Sequence, residues 1–136
     1  MAVKTPRPPA LRPDGHPMAT ISIGDYSFKP ADRVENYGGD INIYCCWEHH
    51  LLIPCPAAYR LSPDLPLIDF LETLFRPDHQ HHPDYARLNY HHLIWTLDGK
   101  SWQPKLAASL REGGVVHMSY LSFRAPGLDG LNGHGV

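Results

Sequence analysis

Three features of the sequence predict an α+β fold with a mixed sheet and one main helix. The first is a period-two run, Ile41-Asn-Ile-Tyr-Cys-Cys-Trp47, which puts Ile41, Ile43, Cys45 and Trp47 on one face of a strand. The second is an amphipathic stretch in which Leu67, Ile68, Leu71, Leu74 and Phe75 recur at helical spacing, with Asp69 and Glu72 opposite. The third is Asp98-Gly99 between Leu93-Ile-Trp-Thr-Leu97 and Lys100-Ser-Trp102, where the dipeptide supplies the positive φ values of a primed two-residue hairpin turn.

Residues 1–39 hold six prolines and read as an extended arm, because proline fixes φ and removes a hydrogen-bond donor. Ile21, Ile23, Tyr26 and Phe28 are apolar side chains with nothing local to pack against, so the segment from Ile21 to Val34 is expected to lie along a surface. Residues 40–124 form the folded domain. Its first strand is followed by a second, Leu51 to Leu61, in which Pro54 and Pro56 both lose amides on the same side. Only an edge strand tolerates that loss. The helix starts from Asp64 as N-cap with Pro66 in its first turn, and Pro77 is expected to stop it after Phe75. A short helical turn over Pro83–Leu88, the Asp-Gly hairpin and turns near Leu106 and Leu110 closed by Gly113-Gly114 come next. Val115 to Arg124 is the final strand. Residues 125–136, with four glycines, form an irregular tail. Hairpin, helix, short strands and last strand is the order of the β-grasp, or ubiquitin-like, fold, in which the last strand inserts beside the first.

The bulk properties exclude several classes. A chain of 136 residues with net charge -2 lacks the basic field that a nucleic-acid partner requires. No apolar run approaches the length of a membrane span, so a cytoplasmic, membrane-free protein is expected. The cysteines number three, with Cys45 and Cys46 adjacent, which suggests reduced thiols.

Ten histidines raise the question of metal. Cys45, Cys46, His49, His50 and Cys55 are close in sequence, and His79, His81, His82, His91 and His92 could approach them. Zinc usually takes its four ligands as spaced pairs, and no pair-plus-pair exists here; Cys45 and Cys46 also point to opposite faces of a strand. The reading is therefore core cysteines and surface histidines. None of the four glutamates has histidine three residues later, which removes a di-iron motif. Cys46 with Glu48 and His49 makes only a paper nucleophile, and no glycine-rich phosphate loop precedes a helix. We assign no catalytic and no cofactor-binding residue to this chain. Partner contacts are expected from Ile21, Ile23, Tyr26, Phe28, Trp47, Arg124, Pro126, Leu128 and Leu131.

Several segments in order resemble one known family. They are Tyr26-Ser-Phe with Asp32-Arg-Val-Glu-Asn36, Trp47-Glu-His-His-Leu-Leu52, Pro63-Asp-Leu-Pro66, Trp95-Thr-Leu-Asp-Gly99 and Leu121-Ser-Phe-Arg-Ala-Pro-Gly-Leu-Asp-Gly130. On these the chain resembles the small γ subunit of the multicomponent bacterial phenol hydroxylases. The resemblance implies an (αβγ)2 assembly with the di-iron centre in the α subunit. It also implies a regulatory protein and a reductase that passes electrons from NADH through FAD and a 2Fe-2S cluster. Phenol-type arenes would then be oxidised to catechols by O2, with this chain an accessory subunit of the oxidoreductase. The alternatives are a free-standing ubiquitin-like binding or effector module, and a small metal-binding protein using the Cys/His cluster.

Overall fold

The computed structural model describes residues 23–25, 27–53 and 56–136. The chain divides into two units, Met1–Ala31 and Asp32–Val136. In the first, the described residues have no helix or strand, and Ile23 and Phe28 are exposed. Ile21 and Tyr26 lie outside the described residues.

The second unit opens on a 3-10 turn at Val34–Tyr37 that ends at Gly38 in the left-handed region. Five strands follow: β1 (Ile41–Trp47), β2 (Ala57–Leu61), β3 (Ile94–Leu97), β4 (Lys100–Trp102) and β5 (Tyr120–Arg124). They form one sheet in the order β2-β1-β5-β3-β4, with β5 inserted parallel to β1 and antiparallel to β3. This is a β-grasp-like mixed sheet with one main helix. Strand β1 alternates between buried and half-buried residues along its whole length, which turns Ile41, Ile43, Cys45 and Trp47 into the core. Strand β2 sits at an edge, as expected, but it is shorter than the sequence suggests and begins only after Pro56, so the prolines that pointed to the edge precede it. Leu51 and Leu52 form an exposed turn instead, while residues 54–55 lie outside the described part. Asp98 and Gly99 have φ of 49° and 79°, the primed geometry that joins β3 to β4. The final strand is also shorter than expected, because Met118 at φ 67° turns the chain just before Tyr120.

The helical run, α1, occupies residues 67–79 and departs from expectation at both ends. Asp64 does not cap it. The Leu67 and Ile68 amides are instead satisfied by the carbonyls of Ala108 and Leu106, at 3.1 and 2.9 Å, so the 106–110 connection closes the helix entrance. Pro77 does not end it. The run is α-helical at Leu67–Phe70, π-helical at Leu71–Phe75 and α-helical again at Arg76–His79, where proline falls in the first positions of the new turn. The wider π turn is the kind of local adjustment that lets a helix absorb a missing donor. One extra turn past Phe75 is what brings His79 into the core.

The core lies between α1 and one face of the sheet. Phe70 meets Tyr59 edge-on at 5.1 Å between ring centroids, and Phe75 meets Phe123 at 5.4 Å. Trp47 stacks on Phe123 at 6.0 Å, and Trp95 leans on the same ring at 4.8 Å. Phe123 thus joins β3, β1 and α1. Replacing it by alanine removes contacts to all three, and Phe123→Ala is expected to destabilise the chain by about 3–5 kcal/mol in urea denaturation. A loss under about 1 kcal/mol would show that this ring is not the junction.

Candidate functional site

The strongest concentration of ionisable side chains among the described residues lies where β1 ends. Strand β1 delivers Trp47 to the core, and His49 takes φ 64°, which reverses the chain and swings His50 back under Trp47. The two rings stack at 3.8 Å. From α1 and the next connection come His79, His82 and Asp84, all buried. Asp84 opens the 3-10 turn Pro83–Arg87, and the His82 side chain caps that turn by accepting from the Asp84 amide at 3.1 Å.

The ring nitrogens of His50 and His82 and the carboxylate oxygens of Asp84 each have a partner. His50 Nδ1 donates to the Glu48 carbonyl at 2.8 Å, and its Nε2 donates to Asp84 Oδ2 at 2.9 Å. The same carboxylate oxygen accepts the Gly130 amide at 3.0 Å, and its other oxygen accepts from Arg87 at 3.0 Å. His82 Nε2 donates to the Val136 carbonyl at 3.1 Å. Burial alone would raise the Asp84 carboxyl, but the bonds from His50, Gly130 and Arg87 outweigh it and hold the group below its ordinary range. His79 moves the same way for another reason. Burial disfavours its charged form and lowers it, against the opposing pull of the Phe75 carbonyl and of Asp78.

His50, His82 and Asp84 offer ligand atoms that all lie within 4.8 Å of one another. Their nitrogen and oxygen atoms are each engaged in the bonds just described, and a single carboxylate does not fit a carboxylate-bridged di-iron centre. The cluster suspected from the sequence is not what assembles. Cys45 lies inside the core on the other side of the strand from Cys46, and burial pushes its thiol far up, away from thiolate. Cys46 is disulfide-bonded, which corrects the expectation of reduced thiols. His49 is exposed and pairs with Asp129 at 3.1 Å, and Cys55 lies outside the described residues. Of the suspected set only His50 belongs to the buried group. The expectation of surface histidines is likewise corrected for His50, His79 and His82.

Two residues read as partner-facing are turned inward. Trp47 is 1% exposed and Leu128 is 8% exposed, both used by the chain's own packing. Arg124, Pro126 and Leu131 remain exposed, with Arg124 paired to Asp129 at 3.1 Å. Leu51, Leu52, Ile94 and Val116 are large exposed apolar side chains that sequence reasoning did not single out. Two open hollows lie beside Trp102 and the 103–108 connection, away from the buried histidines; Lys105 and Glu112 line one, and Tyr90, His91 and Lys105 line the other.

Comparison with known proteins places this architecture. The phenol hydroxylase family model matches residues 32–124. The chain belongs to the phenol hydroxylase family, as its small subunit. It is 35% identical over 116 residues to "Phenol 2-monooxygenase, oxygenase component DmpO" of Pseudomonas sp. (strain CF600), covering 85% of this chain and 98% of that one. It is also similar to a chain of the xenon-pressurized phenol hydroxylase crystal structure from Pseudomonas sp. OX1. There the TM-score is 0.78 at 33% identity, with 87% of this chain and all of that one covered.

The sign of the pH dependence follows from the two depressed groups. Below about 6.5 the unfolded chain protonates His79 while the folded chain resists, and below the carboxylate range the same holds for Asp84. Stability is therefore expected to fall on acidification, beginning below about pH 6.5, in denaturation curves taken at a series of pH values. His79→Phe, which keeps a ring on Phe75, should flatten the first part of that fall; an unchanged slope would remove His79 as its source.

Proposed function

We propose that this chain is the non-catalytic γ subunit of a phenol hydroxylase, one third of the repeating unit in an (αβγ)2 assembly. The reaction, phenol-type arenes to catechols with O2 and NADH, runs on a di-iron centre in the α subunit. FAD and a 2Fe-2S cluster sit in the reductase, and a regulatory protein acts on the same core. The observation that carries this reading is the closed state of the histidine cluster. Among the described residues the one grouping of three ligand-type side chains has each of its ring nitrogens and carboxylate oxygens engaged in a hydrogen bond within the chain.

What the chain does offer is apolar surface. Ile23 and Phe28 in the first unit, and Leu51, Leu52 and Leu131 in the second, expose carbon that a partner could bury. Leu51 and Leu131 both flank the 129–136 loop, since the Leu51 amide donates to Gly135 and the Leu131 amide to Val136. With Arg124 and Pro126 they are the proposed docking groups, and Ile21 and Tyr26 extend the set outside the described residues. Among the described residues no helix is long and apolar enough to cross a membrane. A cytoplasmic location belongs to the same proposal, and the disulfide at Cys46 is the feature that stands against it.

Co-expression with the larger hydroxylase subunits is expected to give one stoichiometric particle. A soluble monomer that ignores them would sink the proposal. The double change Leu51→Glu with Leu52→Glu should reduce recovery of that particle at least about tenfold. Its effect on the chain's own denaturation midpoint should be small, because both side chains are exposed.

A further inference from the structure

Met118 is the one methionine among the described residues; Met1 and Met18 lie outside them. It sits in the left-handed region at φ 67°, where residues other than glycine are uncommon. Hydrogen bonds between β1 and the connection before β5 hold it there. The Met118 amide donates to the Asn42 carbonyl at 2.7 Å, the Asn42 amide to His117 Nδ1 at 3.0 Å, and the Tyr44 amide to the Ser119 carbonyl at 2.9 Å. The Val116 amide donates to Ser119 Oγ at 3.0 Å and closes the turn from its other end. Strain that the surroundings hold in place is a reason to ask what the position does.

The side chain shows what this backbone secures. Its sulfur accepts from two side chains on the outer face of β1, the Tyr44 hydroxyl and the Asn42 amide group, each at 3.8 Å. A thioether is a weak acceptor, so two good donors are committed to a partner that returns little. Met118 is also 39% exposed and is not among the core side chains. Water, and a small oxidant dissolved in it, therefore reaches this residue.

We propose that Met118 is a modification site for peroxide, shaped to hold the sulfoxide that forms there. The sulfur attacks one oxygen of hydrogen peroxide, so that an S–O bond forms and the O–O bond breaks. The other oxygen departs as hydroxide and takes the proton of the transferred hydroxyl, leaving as water; sulfur is oxidised and the peroxide reduced by one electron pair. The sulfoxide oxygen is a much stronger acceptor than the sulfur it sits on. Placed toward Tyr44 and Asn42, it closes the 3.8 Å gaps by about 1 Å, into the ordinary range of O–H···O and N–H···O bonds. Methionine oxidation does damage where it puts a polar group into a packed core. Here the new oxygen meets donors at a surface, and the product binds the 115–119 connection more firmly to β1. Methionine sulfoxide reductases reverse the step, so the site registers oxidant and is reset.

The test is mild hydrogen peroxide on the full chain, with the sulfoxide located by peptide mass spectrometry and hydrogen exchange read over residues 115–120 before and after. Met118 is expected to be oxidised within about threefold of its rate in the urea-unfolded chain, because it is exposed. Exchange over residues 115–120 should then slow by about fivefold, the effect of one added hydrogen bond. Tyr44→Phe removes only a hydroxyl, and Asn42→Ala removes the second donor. With both changes the slowing should fall below about twofold, and Tyr44→Phe alone should lie between. Met118→Leu keeps Met1 and Met18, and peroxide should leave this segment unaltered. Oxidation slower than stated, wild-type exchange that slows less than about twofold, or full slowing in the double variant would each overturn the proposal.

Discussion

The burial of Trp47 is the constraint on which the rest of this structure depends. It ends β1, stacks on Phe123 of the neighbouring strand, and carries His50 on its other side. Its indole N–H is the buried side-chain polar atom left without a partner among the described residues. An unpaired buried donor costs about 1–3 kcal/mol, whereas truncating a buried tryptophan typically costs about 3–5 kcal/mol, so burial wins. The ring therefore stays inside, and the polar groups around it must pair with one another. That is why the histidines, Asp84 and the 129–136 loop form a closed set.

Closure has a functional meaning. An enzyme site keeps some hydrogen-bonding capacity unspent for its substrate, and a catalytic metal keeps an open position. Here the network spends its capacity on holding three chain segments together: the turn after β1, the Pro83–Arg87 turn and the 129–136 loop. The buried ionisable residues of this network serve architecture, while Ile23, Phe28, Leu51 and Leu52 stay exposed.

Much of the scaffold could be read from the residues in order. Strand β1 was legible because one of its faces is wholly buried, and strict alternation is the imprint of that geometry. The turn at Asp98-Gly99 was legible because it rests on backbone chemistry local to two residues, whereas the edge position of β2 was inferred from prolines that precede the strand. The helix end was not, since a π turn upstream let the chain pass Pro77, and nothing in the sequence marks such a turn. The buried cluster was not legible either. His50 and Asp84 are 34 positions apart, and a histidine looks the same in sequence whether it is solvated or clamped. The cysteines drew attention instead because they adjoin, although adjacency sends Cys45 and Cys46 to opposite faces. Trp47 and Leu128 are turned inward instead of outward, Trp47 because it lies on the buried face of β1 between Phe123 and His50.

The placement of β5 sets the order in which this molecule can be made. It pairs with β1 from Tyr44↔Tyr120 to Trp47↔Phe123, partners more than seventy positions apart, and it supplies the middle of the sheet. Until that strand emerges from the ribosome, β1 has a bare inner edge and the β3–β4 hairpin has no neighbour to join. Such long-range closure makes folding slow compared with local helical assembly. Nascent chains thus expose pairing edges and aromatic rings throughout translation, and the interval before sheet completion is when misassembly with other chains is most favoured.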